Sequence, residues 1–139
     1  MSYLWIDISQ LLKFKKEGLI YMKLDHDLIR DLLIAYEKKT NGRTNFNVED
    51  IAKECLPDYD VEAIKYHSKQ LADAGYVKVG SKSSDYVIDL TWKGHQYLAN
   101  IKDNNIWKTI KEKTSSLSGV TLDIIAIMAK EEVKRFLNL

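Results

Sequence analysis

The sequence contains little cysteine, proline or glycine. Its 139 residues include one cysteine, one proline and six glycines. Because Cys55 is alone, an internal disulfide is excluded and a reducing compartment is favoured. No uncharged apolar run is long enough to span a bilayer, and the N-terminus lacks a basic start and a small-residue cleavage site. We therefore predict a cytoplasmic protein with no membrane partner.

The chain also lacks an excess of charge of either sign. Twenty-one lysines and arginines face twenty aspartates and glutamates, which gives a formal net charge of +1. A balance of this kind provides no global attraction to nucleic acid or membrane. Any attraction to a polyanion must therefore come from a local patch. The 45% of hydrophobic residues is enough for one globular core.

Two interpretations of residues 1–21 stay open. Leu4, Ile8, Leu11 and Leu12 share a helical face, so the segment fits a short amphipathic helix. Alternatively, Met22 is the natural start and residues 1–21 are a translated upstream region. We treat residues 1–21 as an N-terminal extension, residues 22–90 as the core and residues 91–139 as appended helices.

The core segment shows the element order of a winged helix-turn-helix domain. Asp25 and Asn47 are suited to cap the first two helices, and Asp60 is suited to cap a third, which Gly75 ends. Pro57 separates the second helix from the third, as in a helix-turn-helix unit. Residues 76–79 alternate in polarity, residues 80–84 suit a turn, and residues 86–90 form the returning strand of a predicted hairpin. The fold class is therefore mainly α with a small β-hairpin (α+β).

Further helices follow the hairpin. Thr91 and Asp103 are suited to begin two of them, and a last helix is expected from about Thr121 to Leu137. Its apolar stripe predicts either packing back onto the core, which we favour, or a homodimer through Leu122 to Leu137. The stripe consists of Leu122, Ile125, Met128, Ala129, Val133 and Phe136.

The third helix and the hairpin supply the candidate DNA-binding residues. With Ile64 and Leu71 facing inward, the outward-facing residues of the third helix would meet the major groove of DNA, and lysines on the hairpin would reach flanking phosphates. The acidic second helix and the absence of arginine from the third helix weaken this interpretation. The candidate residues are Glu62, Lys65, Tyr66, Ser68, Lys69, Lys78 and Lys82.

The sequence predicts no enzyme activity, cofactor or metal. His26, His67 and His95 are scattered, and neighbouring residues at a helix start point in different directions rather than toward one ion. His67 is expected to be packed or at the edge of the groove, and Cys55 to be a small core residue. There is no phosphate-binding glycine loop and no exposed-serine elbow.

Several stretches of the chain have a distinctive sequence. The most recognisable is the segment DLTWKGHQYL from Asp89 to Leu98, in which we expect Trp92, Tyr97 and Leu98 to pack under the wing. The other stretches are MKLDHDLIRDLL from Met22, YH at Tyr66 with Leu71, Gly75 and Tyr76, DNNIW from Asp103, and VTLD from Val120. These stretches resemble a bacterial and prophage family, the domain of unknown function 2513. The resemblance covers nearly all of residues 22–139 and implies a winged-helix-like fold, a mobile-element setting and no assigned activity.

Two functions follow as hypotheses. The first is a DNA-binding regulator of phage or prophage origin, for which the helix-turn-helix order is the reason. The second is a protein-interaction module that uses the same scaffold to bind a host or phage protein without DNA, since a fold does not fix a function. The near-neutral charge and the acidic second helix are the reasons for the second.

Overall fold

The computed structural model describes residues 23–81 and 83–139, which form an α+β fold dominated by helices. The interpretations of residues 1–21, and the role given to Lys82, lie outside the described residues. The elements in chain order are α1 (His26–Lys39), β1 (Phe46–Asn47), α2 (Val48–Cys55), α3 (Val61–Asp73), β2 (Val77–Val79), β3 (Tyr86–Leu90), α4 (Trp92–Ile101), α5 (Asn104–Thr114) and α6 (Leu122–Phe136).

The helices begin at the capping residues that the sequence predicted. An Asp25 carboxylate oxygen accepts from the Leu28 amide at 3.1 Å, and Asn47 accepts from the Glu49 amide at 2.8 Å. Asp60, Thr91 and Asp103 accept from the first free amides of α3, α4 and α5 in the same way. These side chains satisfy backbone donors that have no partner within the helix, so the local sequence fixes where each helix begins.

The sheet contains the expected hairpin and one strand that the sequence did not reveal. The three strands are antiparallel in the order β1-β3-β2. Val77 lies opposite Leu90 in the hairpin, and Phe46 lies opposite Val87 across β1 and β3. Strand β1 was not predicted from the sequence. Two residues carry too little periodicity to predict a strand, which here depends on a distant partner.

Helix α1 lies at the centre of the core. It contacts α2, α3, α4 and β3, and Tyr36 near its C-terminal end is fully buried. The Tyr36 hydroxyl lies 2.7 Å from the Ser68 hydroxyl on α3, so this buried polar pair is satisfied internally. The apolar core that includes Tyr36 also contains Leu28, Ile29, Leu32, Leu33, Val48, Ile51, Ile64, Leu71, Val87, Leu98, Ile101 and Ile110.

The C-terminal helices pack on the same core. Helix α6 contacts α4 and α5 and buries Ile125 and Ala129 from its predicted apolar stripe, whereas Phe136 is 74% exposed. Arg30 of α1 donates from Nε to the Ile101 carbonyl at 3.0 Å and so holds α1 against the end of α4. Trp107 of α5 donates from Nε1 to the Asp27 carboxylate at 2.8 Å. Helices α4 and α5 are thus tied to α1 by hydrogen bonds.

The segment after the hairpin departs from expectation at one residue. Tyr97 and Leu98 are buried as predicted, but Trp92 is 78% exposed. Trp92 is the first residue of α4, where the chain leaves the sheet, and the side of the helix that holds Tyr97 and Leu98 faces the core. In the part of the chain that the structure describes, no helix has the length and apolar character needed to cross a membrane.

Candidate nucleic-acid interface

The candidate interface begins with the turn between α2 and α3. Pro57 follows Leu56, whose amide donates to the Ala52 carbonyl at 2.9 Å as the last hydrogen bond of α2. The Tyr59 hydroxyl donates to an Asp31 carboxylate oxygen at 2.7 Å, which ties the turn to α1. Burial and the bonded carboxylate raise the pKa of Tyr59, so the hydroxyl stays protonated and remains a donor. The start of α3 is therefore held in a fixed position relative to α1.

One face of α3 is buried in the core. Ile64, His67, Ser68 and Leu71 are buried. His67 accepts a hydrogen bond from the Asp25 amide at Nε2, over 2.9 Å. Its Nδ1 lies 2.7 Å from the Ala63 carbonyl, an acceptor, which fixes the neutral tautomer with the proton on Nδ1. His67 is thus a packed structural residue, one of the two roles the sequence left open.

Ser68 is not part of an exposed surface, and its assignment as a DNA-contacting residue was wrong. Its side chain is 0% exposed and is bonded to Tyr36. Ser68 lies four residues after Ile64 and three before Leu71, which is the spacing of the buried stripe. From that spacing alone, the sequence could have placed Ser68 in the core instead of among the groove-facing residues.

The opposite face of α3 holds the other candidates. Lys69 is exposed, and among the described residues it has no ion-pair partner. Lys65 is only half exposed, and its ammonium nitrogen lies 4.0 Å from the carboxylate of Glu62. The Tyr66 ring packs edge-on against His67, with centroids 5.5 Å apart. Lys69 is therefore the most available cation of the helix, and Glu62 weakens the field of Lys65.

The hairpin adds one described cation. Lys78 on β2 is exposed and lies directly opposite Asp89 on β3. Residues opposite each other in an antiparallel pair project to the same side of the sheet, so the Asp89 carboxylate lies on the side of the sheet that carries Lys78. The same carboxylate accepts from the Leu90 amide at 2.7 Å and lies 3.6 Å from His95.

The surface of α2 is acidic, as the sequence indicated. Glu49, Asp50 and Glu54 lie on it, and Lys53 is 3.5 Å from Glu49. Glu54 also binds the Lys39 ammonium of α1, and that hydrogen bond raises the pKa of Lys39. Because α2 adjoins α3, its carboxylates would repel a phosphate backbone that approached this side of the protein.

Sequence reasoning missed Arg43 as a candidate contact. Arg43 is exposed in the loop before β1, next to Gly42, which has a φ of +79°. The Gly42 amide donates to the Ile88 carbonyl at 3.0 Å and fixes this loop along β3. In the sequence, Arg43 is visible only as an arginine in a polar loop. The packing of that loop on β3 is what places Arg43 near the hairpin.

The histidines do not converge. The Nε2 atom of His26 lies 2.7 Å from the Val120 carbonyl, and His95 faces Asp89. His67 lies on the buried side of α3. Within residues 23–81 and 83–139, no three histidine, cysteine, aspartate or glutamate side chains form a group able to hold a metal ion. Cys55 is half-buried at the end of α2, packed against the core.

Comparison with known proteins gives a family. The family model described as "Hypothetical protein (DUF2513)" matches residues 23–121. A protein of Haemophilus influenzae, described as an uncharacterized protein, is 30% identical over 126 residues, which cover 84% of this chain and 99% of that protein. No solved structure gives a significant match.

Proposed function

The chain belongs to the DUF2513 family, and we propose that it is a winged helix-turn-helix protein that binds double-stranded DNA. In this proposal α2, the Pro57 turn and α3 are the helix-turn-helix unit, and β2 and β3 are the wing. Helix α3 enters the major groove, while the hairpin lies over an adjacent phosphate backbone. Residues 91–139 complete the core, and the site requires no cofactor and performs no catalysis.

The observation that carries the proposal is the division of α3 into two faces. Its buried face is fixed against α1, and its opposite face presents Tyr66 and Lys69. A recognition helix needs this combination, because contact with base edges requires a rigid backbone behind mobile polar side chains. The tyrosine can contact a phosphate or a thymine methyl group, and the lysine a phosphate or a guanine edge.

The affinity should be modest. Lys65, Lys69, Lys78 and Arg43 are the described cations that would meet phosphates, and two of them face carboxylates. Each neutralised phosphate contributes about −0.9 to the slope of log K against log salt, so about four contacts give a slope of roughly −3 to −4. Binding is therefore best sought below physiological ionic strength.

The test compares two charge reversals of equal size. Fluorescence anisotropy with a labelled duplex at low salt measures binding of the wild type, Lys69→Glu and Lys108→Glu. Lys108 is an exposed lysine of α5, so it is a matched control for the change in net charge. We expect Lys69→Glu to lose at least tenfold in affinity and Lys108→Glu to lose far less.

Two results contradict the proposal. Wild-type protein that does not bind duplex DNA at low salt excludes the function. Equal losses in the two variants exclude α3 as the binding face and indicate attraction through net charge alone. Circular dichroism on both variants checks that the fold is retained.

A second function has specific observations in its favour. The acidic surface of α2 does not attract DNA, and Trp92 is 78% exposed. An exposed tryptophan is a typical anchor of a protein interface. A host or phage protein that co-purifies stoichiometrically at low salt, and is lost from Trp92→Ala, would support this function. Recovery of nucleic acid alone would exclude it.

The phage or prophage origin also remains part of the proposal. It rests on the family resemblance, not on any residue of the site. Genes for phage structural or replication proteins beside members of this family would support it. Consistent placement among unrelated chromosomal genes would contradict it.

A further inference from the structure

Helix α6 has an apolar face that the core does not cover. Its inner side buries Ile125 and Ala129. On its outer side Ile124 is 47% exposed and Ile127 is 60% exposed. These two isoleucines differ from the residues of the sequence-predicted stripe. The two isoleucines therefore form a small apolar patch on the outer side, among the exposed Asp123, Lys130, Glu131 and Lys134.

Two opposite charges flank this face. Asp123 and Lys130 both line the open groove between α4 and α6, together with Ala126, Ile127 and a second lysine, Lys93 of α4. They are seven residues apart, which is nearly two helical turns, so they lie on one side of the helix about 10 Å apart along its axis. In the part of the chain that the structure describes, neither has an ion-pair partner.

We propose that α6 pairs with α6 of a second copy of this chain, antiparallel about a two-fold axis. The axis passes between Ala126 and Ile127. Because Asp123 and Lys130 are equidistant from that point, Asp123 of each copy lies opposite Lys130 of the other. The small side chain of Ala126 lets the two helices approach closely, and Ile127 of each copy packs across the axis.

The charge pattern selects a second copy over an unrelated protein. A two-fold interface requires that one surface complement itself, with each residue meeting a counterpart on the opposite side of the axis. An acid and a base placed symmetrically about a small residue, with isoleucine beside it, meet that requirement. Complementarity of this kind fixes register and orientation more than it adds affinity.

The inference stands apart from the proposed function, because it can be tested without DNA. Analytical ultracentrifugation at low salt measures the dimer dissociation constant of the full chain. We expect a concentration-dependent dimer, weakened about tenfold or more by Lys130→Asp, because the two-fold axis turns one substitution into two repulsive pairs. Lys108→Asp, an equal charge change on α5, should leave the constant within about twofold.

The decisive variant exchanges the two charges. The double substitution Asp123→Lys and Lys130→Asp should restore the affinity to within about threefold of the wild type, since both ion pairs re-form with reversed sign. A double variant no tighter than Lys130→Asp overturns the proposed register. A wild type that is monomeric up to about 1 mM overturns the dimer itself. Circular dichroism confirms that each variant keeps its helix content.

Discussion

The glycine of the DLTWKGHQYL segment provides the sharpest test of the packing behind the hairpin. Gly94 is buried in the first turns of α4, against the junction of α3 and β2. A Cβ atom added at Gly94 would lie 2.0 Å from the Tyr76 carbonyl oxygen and 3.4 Å from the Leu90 Cβ. That carbonyl also accepts from the Thr91 amide at 3.1 Å, so a backbone shift that relieves the clash would break this hydrogen bond.

The free-energy cost of Gly94→Ala follows from these contacts. Overpacking of this kind costs about 1–3 kcal/mol, and loss of the Thr91 hydrogen bond adds about 1 kcal/mol. Alanine recovers about 1 kcal/mol of helix propensity. The balance is a loss of roughly 2 kcal/mol, which lowers the Tm of a chain of this size by about 6–10 °C.

Thermal and urea unfolding followed by circular dichroism measures this change. Gly119→Ala is the matched control, since an added Cβ there meets nothing within 4 Å. It should change the unfolding free energy by less than about 0.5 kcal/mol. A Gly94→Ala protein as stable as the wild type would refute the close approach of α4 to Tyr76, and with it the structural explanation of the glycine.

Two further predictions concern buried and half-buried polar groups. Tyr36→Phe removes the partner of the Ser68 hydroxyl and should lower the free energy of unfolding in urea by about 1–3 kcal/mol. The loss in the double variant Tyr36→Phe with Ser68→Ala should be smaller than the sum of the two single losses. Strictly additive losses would contradict a direct hydrogen bond. Burial raises the pKa of Asp27, but hydrogen bonds from Lys111 and Trp107 outweigh it and hold that pKa below the ordinary 3.8. The stability that Asp27 contributes is therefore present above its unfolded pKa and is lost as the pH falls through the lower folded pKa, so the stability difference between the wild type and Asp27→Asn should shrink below about pH 4; a constant difference from pH 2 to pH 7 would contradict the bonded carboxylate.

The local signals in the sequence determined the helices well. Asp25, Asn47 and Asp60 each form the capping hydrogen bond expected of them, because a cap needs only its own next three residues. Gly75, with a φ of +85°, ends α3 as predicted. Elements fixed by neighbouring residues are those that a single sequence can specify.

Features that depend on distant residues were not predictable in this way. Strand β1 exists because Phe46 pairs with Val87, forty-one positions away, and the two residues of β1 alone do not predict that pairing. Trp92 was assigned to the core by its aromatic type, but its position at the first turn of α4 points it outward. The ties of Arg30 and Trp107 between α1 and the C-terminal helices likewise required the fold.

The candidate site was partly predictable for the same reason. Helical spacing identified the exposed face that carries Lys69, but the position of Asp89 opposite Lys78 depends on the pairing of β2 with β3. The position of Arg43 depends on a loop that packs on β3. The position of a charge relative to charges on other elements therefore cannot be predicted from the residues of a single helix.

The claim that α3 is the DNA-binding face is tested most directly by a DNA titration followed through backbone amide chemical shifts. At low salt, we expect the largest changes at Tyr66, Lys69 and Lys78, and we expect them to shrink steeply as salt is added. Amides of α5 and α6 should move little. Changes concentrated on α5 or α6, or no changes with saturating duplex, would exclude α3 as the DNA-binding face.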